Sequence, residues 1–259
     1  MAKFVPAACA ALLLLSTVQA GTIYYIDDSS NSLRTMDPNT YATALVGATG
    51  VGGDFGDLAY NSATGTLFWA PGRGNDNLYT LNMATGAATL VGAHGVNDLF
   101  GLAYDPLTGM LYGQSSSSSF YSLDMNAGAA TLIGSNSVYP GGLTYNGTLG
   151  ALVLSSAGTG DFYTVNPASG AATLLSVGSG FLNDNGLAYD PDRDIYWTND
   201  WSGFVYQYDA NTFARSAVLS EQGALDGIVY IAGAAQVPEP STMGLIAGGG
   251  ALLFLRRRR

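Results

Sequence analysis

The stretch that decides the fold is Gly101-Leu102-Ala103-Tyr104, which returns as Gly186-Leu187-Ala188-Tyr189. Its three variants are Asp57-Leu58-Ala59-Tyr60, Gly142-Leu143-Thr144-Tyr145 and Gly227-Ile228-Val229-Tyr230. The last tyrosines of the five copies are spaced by 44, 41, 44 and 41 residues. A period of about 42 residues is typical of the blades of a β-propeller, each of which is a four-stranded antiparallel sheet.

The residues around each copy are predicted to form four strands separated by turns. In the first full unit, the predicted strands are residues 57–60, 66–70, 77–81 and 87–91. Turns such as Asn61-Ser62-Ala63-Thr64-Gly65 open with Asn and close with Gly, which suits a hairpin connection. Within the motif, Leu and Tyr point to one face of the strand and Gly and Ala to the other, so a bulky face can pack on the small-residue face of the next blade.

The two ends of the body predict a fifth blade. Three strand-like pieces, residues 22–26, 32–36 and 42–46, precede the first full unit, and one piece, residues 226–231, follows the fourth. Joined in one sheet, these four pieces would close a ring and pair edge strands that would otherwise be exposed. We therefore predict an all-β fold, a five-bladed β-propeller closed by the N- and C-terminal strands in one blade. An open solenoid or a six-bladed ring is the alternative.

The amino-terminal segment, residues 1–20, has the pattern of a secretory signal peptide. Lys3 precedes an apolar run over residues 7–15, and Val18-Gln19-Ala20 provides small residues for cleavage by signal peptidase before Gly21. The run is too short for a membrane-spanning anchor, and we expect a signal helix there. The single cysteine, Cys9, lies in this segment, so the mature body has neither a disulfide nor a thiol.

The charge of the body restricts its partners. Residues 21–236, the predicted propeller domain, contain four arginines, no lysine, seventeen aspartates and one glutamate, a formal charge of −14. So acidic a body has no basic stripe to hold phosphates, and we exclude nucleic acid as a partner. Divalent cations or neutral glycans suit it better.

The carboxyl-terminal segment, residues 237–259, has three parts. It begins with Val237, Pro238, Glu239 and Pro240, continues as an apolar run over residues 243–255 that we expect to be a hydrophobic transmembrane helix, and ends in Arg256, Arg257, Arg258 and Arg259. A basic cluster after an apolar span is typical of a cytoplasmic end. The run is short for a stable anchor.

This segment closely resembles the PEP-CTERM sorting domain of exported proteins in Gram-negative, exopolysaccharide-producing bacteria. The resemblance implies an exosortase, a membrane peptidase, as a partner that processes the chain at or near the Val-Pro-Glu-Pro motif. It also implies an inner-membrane-anchored precursor that becomes a cell-surface or extracellular protein. The alternative is an ordinary single-pass anchor with a proline-rich linker.

The body resembles, more loosely, bacterial propellers of the quinoprotein-like and YVTN-like type. It also contains Tyr196-Trp197-Thr198-Asn199-Asp200, which resembles one YWTD repeat of receptor propellers. That match occurs once and is interrupted by Asn199, so we assign it a place in a strand and no ligand.

Catalytic groups are scarce in the body. Its one histidine, His94, is expected to be solvated in a loop, and no Gly-x-Ser-x-Gly elbow is present. A paired-histidine metal site and Schiff-base chemistry are excluded because a second histidine and any lysine are lacking. We therefore expect no enzyme, no cofactor and no catalytic residue. The predicted role is a non-catalytic binding or structural module whose partner is exopolysaccharide or another envelope protein.

Carboxylates are the groups that remain. Five aspartates at or just before the innermost strands should surround one mouth of the central channel: Asp54, Asp57, Asp98, Asp184 and Asp226. They could hold Ca²⁺ or act as the acid and base of a carbohydrate-active enzyme, the alternative function. The ordinary interpretation is that they open turns.

Aromatic residues outside the strands are the other candidates for ligand contact. Trp201 and Tyr139 lie in predicted loops, where they could make a surface contact. Trp69 and Trp197 lie within predicted strands, and we assign them to the core.

Overall fold

The computed structural model describes residues 21–178, 184–221 and 223–233. These residues form twenty β-strands in five four-stranded antiparallel sheets. Within them, no helix is long and apolar enough to cross a membrane. The chain divides into two compact units, of which Ala20–Ala232 is the propeller body.

The blades are numbered from the one that contains the amino terminus. Blade 1 is β20 (Leu225–Ile231), β1 (Thr22–Asp27), β2 (Ser32–Met36) and β3 (Thr43–Ala48). Blade 2 is β4 (Asp57–Asn61), β5 (Thr66–Ala70), β6 (Asn77–Leu81) and β7 (Ala88–Ala93). Blade 3 is β8 (Leu99–Asp105), β9 (Met110–Ser115), β10 (Ser119–Leu123) and β11 (Ala130–Ser135). Blade 4 is β12 (Pro140–Asn146), β13 (Ala151–Ser156), β14 (Phe162–Val165) and β15 (Ala172–Ser176). Blade 5 is β16 (Asp184–Asp190), β17 (Ile195–Asp200), β18 (Phe204–Asp209) and β19 (Arg215–Ser220).

The predicted closure of the ring by the two chain ends is confirmed. β1 pairs antiparallel with both β2 and β20, and Tyr24 lies opposite Val229 in the shared sheet. The innermost strands contact one another in the cyclic order β4, β8, β12, β16, β20 and back to β4. Five blades are therefore present, and neither the open solenoid nor the six-bladed ring occurs.

The core consists of five apolar clusters, each between two neighbouring blades. In the cluster between blades 2 and 3, Leu102 and Tyr104 pack with Ala59 of the preceding blade. On the other face of the same strand, Ala103 packs with Leu143 of the following blade. The predicted packing of bulky on small faces is thus correct. Trp69 and Trp197 are fully buried, as predicted.

The glycines of the motif are required by the close approach of the innermost strands. A Cβ on Gly142 would lie 2.3 Å from the backbone nitrogen of Leu187 in the next blade, and one on Gly186 would lie 2.7 Å from that of Ile228. Blades 1, 3, 4 and 5 have glycine at the first position of the motif. Blade 2 has Asp57 at that position, and the Asp57 side chain is fully buried.

The carboxyl of Asp57 lies among the innermost strands and binds their backbone N–H groups. Its Oδ2 accepts the backbone N–H groups of Leu102 (3.0 Å) and Leu143 (3.1 Å), and its Oδ1 accepts that of Leu58 (2.9 Å). One side chain therefore links blades 2, 3 and 4. Burial raises the pKa of Asp57 well above its usual value, and these N–H donors oppose that shift.

Several sequence expectations fall on residues outside the described ranges. They are the signal helix in residues 1–20, the hydrophobic helix in residues 243–255, the motif Val237 to Pro240 and the basic cluster Arg256 to Arg259. The two helices remain predictions from the sequence.

Candidate functional site

The two mouths of the propeller differ in chemistry. We call the end where the innermost strands begin the upper mouth and the end where they finish the lower mouth. The aspartates predicted to surround one mouth belong to the upper one, where Asp54 and Asp98 precede β4 and β8. Asp184 is the first residue of β16 and lies opposite Asp200 in the sheet.

Two of the predicted mouth residues are buried in the structure of the ring. Asp57 and Asp226 have almost no exposed surface. Asp226 Oδ2 accepts the backbone N–H of Gly56 at 2.6 Å, and its Oδ1 accepts that of Gly227 at 3.1 Å. Burial raises the pKa of Asp226, and the nearby carboxyls of Asp28, Asp57 and Asp54 add to that shift. These two side chains hold blades together and are not free to meet a ligand.

A continuous row of aromatic rings crosses the upper mouth, and we call it the aromatic arc: Trp201, Phe55, Phe100 and Tyr139. The rings of Trp201 and Phe55 are 4.4 Å apart and nearly perpendicular, those of Phe55 and Phe100 are 5.4 Å apart, and those of Phe100 and Tyr139 are 6.1 Å apart. The two middle rings are buried, whereas Trp201 is 48% and Tyr139 is 44% exposed. The arc therefore has a fixed centre and two open ends.

The two middle rings of the arc, Phe55 and Phe100, are positioned by irregular backbone conformations. Phe55 has a left-handed conformation with φ of 61°, which is uncommon for a bulky residue. Phe100 lies at a β-bulge, because the pairing of β8 with β9 shifts between Leu99 and Gly101. Bulges re-aim side chains and are frequent beside functional sites. Strained backbone of this kind is maintained only where the surroundings impose it.

Arg73 covers the centre of the arc. Its guanidinium carbon lies 4.3 Å from the centre of the Phe55 ring and 5.7 Å from that of Phe100, which is cation–π geometry. The same guanidinium lies 3.4 Å from the carboxylate of Asp54, and both side chains are about half exposed. The arc is thus bordered by one donor group and one acceptor group that solvent can reach.

Further carboxyls make the upper mouth acidic. Burial and the neighbouring charges of Asp54 and Asp27 raise the pKa of Asp28 to about 6. Burial also raises the pKa of Asp54, with Arg73 acting in the opposite direction and Asp98 in the same one. Asp98 accepts a hydrogen bond from the Ser116 hydroxyl at 3.4 Å. Among the residues that the structure describes, no three metal-ligating side chains are grouped to hold a metal ion.

Sequence reasoning found the two ends of the arc and missed its centre. Phe55, Phe100 and Arg73 were not predicted as site residues. A signal was present, because an aromatic residue stands one to three positions ahead of the glycine or aspartate of the motif in three copies: Phe55, Phe100 and Tyr139. The expectation for His94 was wrong, since its side chain is buried and its Nδ1 accepts the Val96 N–H at 3.2 Å.

The comparisons with known proteins agree with this architecture and identify the tail. A family model described as the PEP-CTERM protein-sorting motif matches residues 236–259. The chain therefore carries a PEP-CTERM sorting motif, which implies export and processing by an exosortase. No curated protein matches the chain significantly.

Solved structures show likeness in the fold. The chain is similar to a protein in a nidogen/laminin complex, with a TM-score of 0.58 and 18% identity, over 85% of this chain and 83% of that one. It is also similar to a structural genomics protein of unknown function from Bacteroides thetaiotaomicron, with a TM-score of 0.59 and 17% identity, over 84% of this chain and 65% of that one. At this identity the likeness concerns the fold alone.

Proposed function

We propose that the protein is an exported cell-envelope or matrix protein whose propeller binds a neutral glycan, without turnover, at the upper mouth. The aromatic arc with its two exposed ends is the observation that carries this proposal. Flat apolar rings with a few polar groups beside them are typical of sites that hold a ligand in one orientation. A sugar ring offers such a site an apolar face and hydroxyl groups at its edge.

The charge of the mouth favours a neutral ligand over an anionic one. Arg73 already faces Asp54, and Asp28 and Asp98 add further carboxyls. An anionic polysaccharide would meet repulsion from these carboxyls. The hydroxyls of a neutral glycan can donate to Asp54 and accept from Arg73.

The cellular location of the protein is the second part of the proposal. Residues 1–20 would direct export and be removed by signal peptidase. The precursor would then be held in the inner membrane of a Gram-negative cell by residues 243–255, as a transmembrane helix, until an exosortase acts at or near Val237 to Pro240. An exopolysaccharide made by the same cells is a ligand consistent with that location.

Affinity electrophoresis of the exported protein, in gels containing the neutral polysaccharide from the surface of the producing cells, tests the binding. We expect retardation that is lost in Trp201→Ala and Tyr139→Ala and kept in Leu132→Ala, a matched exposed apolar residue on an outermost strand. Equal retardation of all variants, or none of the wild type, would refute binding at the arc.

A carbohydrate-active enzyme is the second candidate, and the raised pKa of Asp28 beside Asp54 favours it. Two neighbouring carboxyls, one with its pKa raised to about 6, can serve as acid and base in glycan hydrolysis. Release of reducing ends from the bound polysaccharide, abolished in Asp28→Asn or Asp54→Asn, would establish this activity in place of simple binding. A protein that retains polysaccharide and releases no product supports the binding module.

A further inference from the structure

The lower mouth contains a second recess, separate from the upper mouth. We call it the tyrosine funnel, because its rim has the last tyrosine of each motif copy: Tyr60, Tyr104, Tyr145, Tyr189 and Tyr230. Its volume is about 470 Å³. Cavities of a few hundred Å³ are the usual size of small-molecule sites.

The register of the innermost strands builds the funnel in three levels. Leu58, Leu102 and Leu143 lie at its base and Ala59 and Ala103 along its wall, with their side chains buried between the blades, and the tyrosines form its rim. The backbone N–H groups of the three leucines are all bound by Asp57. The closed centre of the ring thus separates the funnel from the aromatic arc, and the inference below does not rest on glycan binding there.

Two of the rim tyrosines donate hydrogen bonds to carboxylates. The hydroxyl of Tyr189 donates to Asp194 at 2.7 Å, and that of Tyr230 donates to Asp192. Burial and the adjacent Asp194 raise the pKa of Tyr189 to about 12, so this phenol stays protonated at neutral pH. A phenol that donates to a carboxylate has an electron-rich ring, which strengthens its attraction for a cation.

One positive charge lies near the rim: Arg193 interacts with the phenol of Tyr230 and opposes the rise of its pKa. None of the described residues that line the funnel is basic. The nearby Arg193 is engaged by Asp190, with Nη1 and Oδ2 2.6 Å apart. A cation in the funnel would therefore meet aromatic rings and the field of an acidic body, whereas an anion would be repelled.

We propose that the tyrosine funnel binds an organic cation of the quaternary ammonium class. A small ammonium ion holds its water strongly, and the apolar base of the funnel cannot replace that water. A trimethylammonium group spreads its charge over methyl groups, so it can bury apolar surface and face several aromatic rings at once. Tyr60, Tyr104 and Tyr145 are the partly exposed tyrosines of the rim, and their rings are the ones that such a group would meet.

Titration calorimetry of the exported protein with choline tests the inference. The matched probe is the uncharged isostere of choline, in which a tert-butyl group replaces the trimethylammonium group. We expect choline to bind at least about ten-fold more tightly than the isostere, because cation–π attraction to several rings is lost with the charge. Equal affinity of the two probes, or no saturable binding of choline, would overturn the proposal.

Substitutions at one rim position distinguish the contribution of the aromatic ring to choline binding from that of the hydroxyl group. Tyr104→Phe should keep choline affinity within about three-fold, whereas Tyr104→Leu should weaken it by about ten-fold. Tyr145→Leu repeats the test on another blade if Tyr104→Leu does not fold. Trp201→Ala, at the opposite mouth, should leave choline binding unchanged; loss of binding in Trp201→Ala would move the site away from the funnel and refute it.

Vesicles identify the source of the trimethylammonium group. If a lipid headgroup is the ligand, the protein should bind phosphatidylcholine vesicles and not phosphatidylglycerol vesicles, with free choline as a competitor. If the ligand is a free small molecule, choline binds and neither vesicle does. Binding to phosphatidylglycerol vesicles alone would contradict a site for cations.

Discussion

The side-chain Oδ2 of Asp57 accepts the backbone N–H of Leu143 at 3.1 Å, although the two residues are 86 positions apart and belong to different blades. The same oxygen accepts the N–H of Leu102 in the blade between them. One aspartate, at the position where the other blades have glycine, therefore joins three blades at the axis. It also separates the two mouths on which the proposed ligands depend.

Replacing this carboxyl by an amide should destabilise the ring. In Asp57→Asn, one of the two oxygens becomes an NH₂ donor that faces a buried backbone N–H, so a hydrogen bond is lost and two donors meet. We expect the free energy of unfolding to fall by about 1–3 kcal/mol, measured by denaturant titration.

A turn aspartate is the control for Asp57→Asn. Asp124 opens the turn after β10 and accepts the N–H groups of Asn126 and Ala127. Asn82 fills the equivalent position in blade 2, so Asp124→Asn should change stability by less than about 0.5 kcal/mol. If both variants are equally stable, Asp57 does not hold the blades together.

The motif glycines should resist enlargement. In Gly142→Ala the new methyl would meet the backbone of Leu187 at 2.3 Å, so neighbouring blades have to separate. We expect a loss of at least about 1–3 kcal/mol in unfolding free energy. Gly158→Ala, where the nearest atom would lie at 3.8 Å, is the control and should be near neutral. A stable Gly142→Ala protein would contradict the close approach of the strands.

The fold of the body was accessible from sequence because its period and its turns are visible in the residues, and because the strands left over at the two ends add up to one more blade. The spacing of the tyrosines located the innermost strands, and Tyr24 and Val229 pair as the ring model required. The role of the motif glycines was not accessible, since it depends on how closely five strands approach one axis. Nothing in the residues near Asp57 indicates that its carboxyl reaches Leu143 in another blade.

The candidate site was predicted only in part. Tyr139 and Trp201 were chosen as aromatic residues in loops, and the structure shows both exposed. Their connection through Phe55 and Phe100 joins residues distant in sequence and depends on one left-handed residue and one bulge. Hydrophobic patterning predicts neither of these irregularities.

The raised pKa of Asp28 predicts how stability varies with pH. A carboxyl whose folded pKa of about 6 exceeds its unfolded value binds its proton more tightly in the folded state. Its contribution is therefore fully present below the unfolded pKa and is lost as the pH rises through about 6. Asp28→Asn should stabilise the protein at pH 7 and flatten this part of the profile, measured by thermal unfolding across pH.

Asp209 provides the opposite case. The backbone N–H of Thr212 lowers the pKa of Asp209, so its contribution is present above the unfolded pKa and is lost as the pH falls. Asp209→Asn should change only the acid limb of the pH–stability profile.

If Asp28→Asn leaves the profile unchanged near pH 6, the carboxyl of Asp28 is not buried among its acidic neighbours.

The tail predicts a defined carboxyl terminus. Mass spectrometry of the exported protein should find residues 241–259 removed, with the new end at or near Val237 to Pro240, in cells that have the exosortase. The chain should extend to Arg259 in cells that lack the peptidase. Pro238→Ala with Glu239→Ala should block processing, whereas Thr242→Ser should not. A mature chain that ends at Arg259 in all cells would indicate an ordinary anchor.

Tryptophan fluorescence tests the glycan site most directly, because Trp69 and Trp197 are buried and Trp201 alone of the three is exposed. The exported protein is titrated with the neutral polysaccharide of the producing cells while its emission spectrum is followed. Binding at the aromatic arc predicts a saturable blue shift that is absent in Trp201→Phe. A spectrum unchanged at saturating polysaccharide, or a shift that persists in Trp201→Phe, would contradict the account.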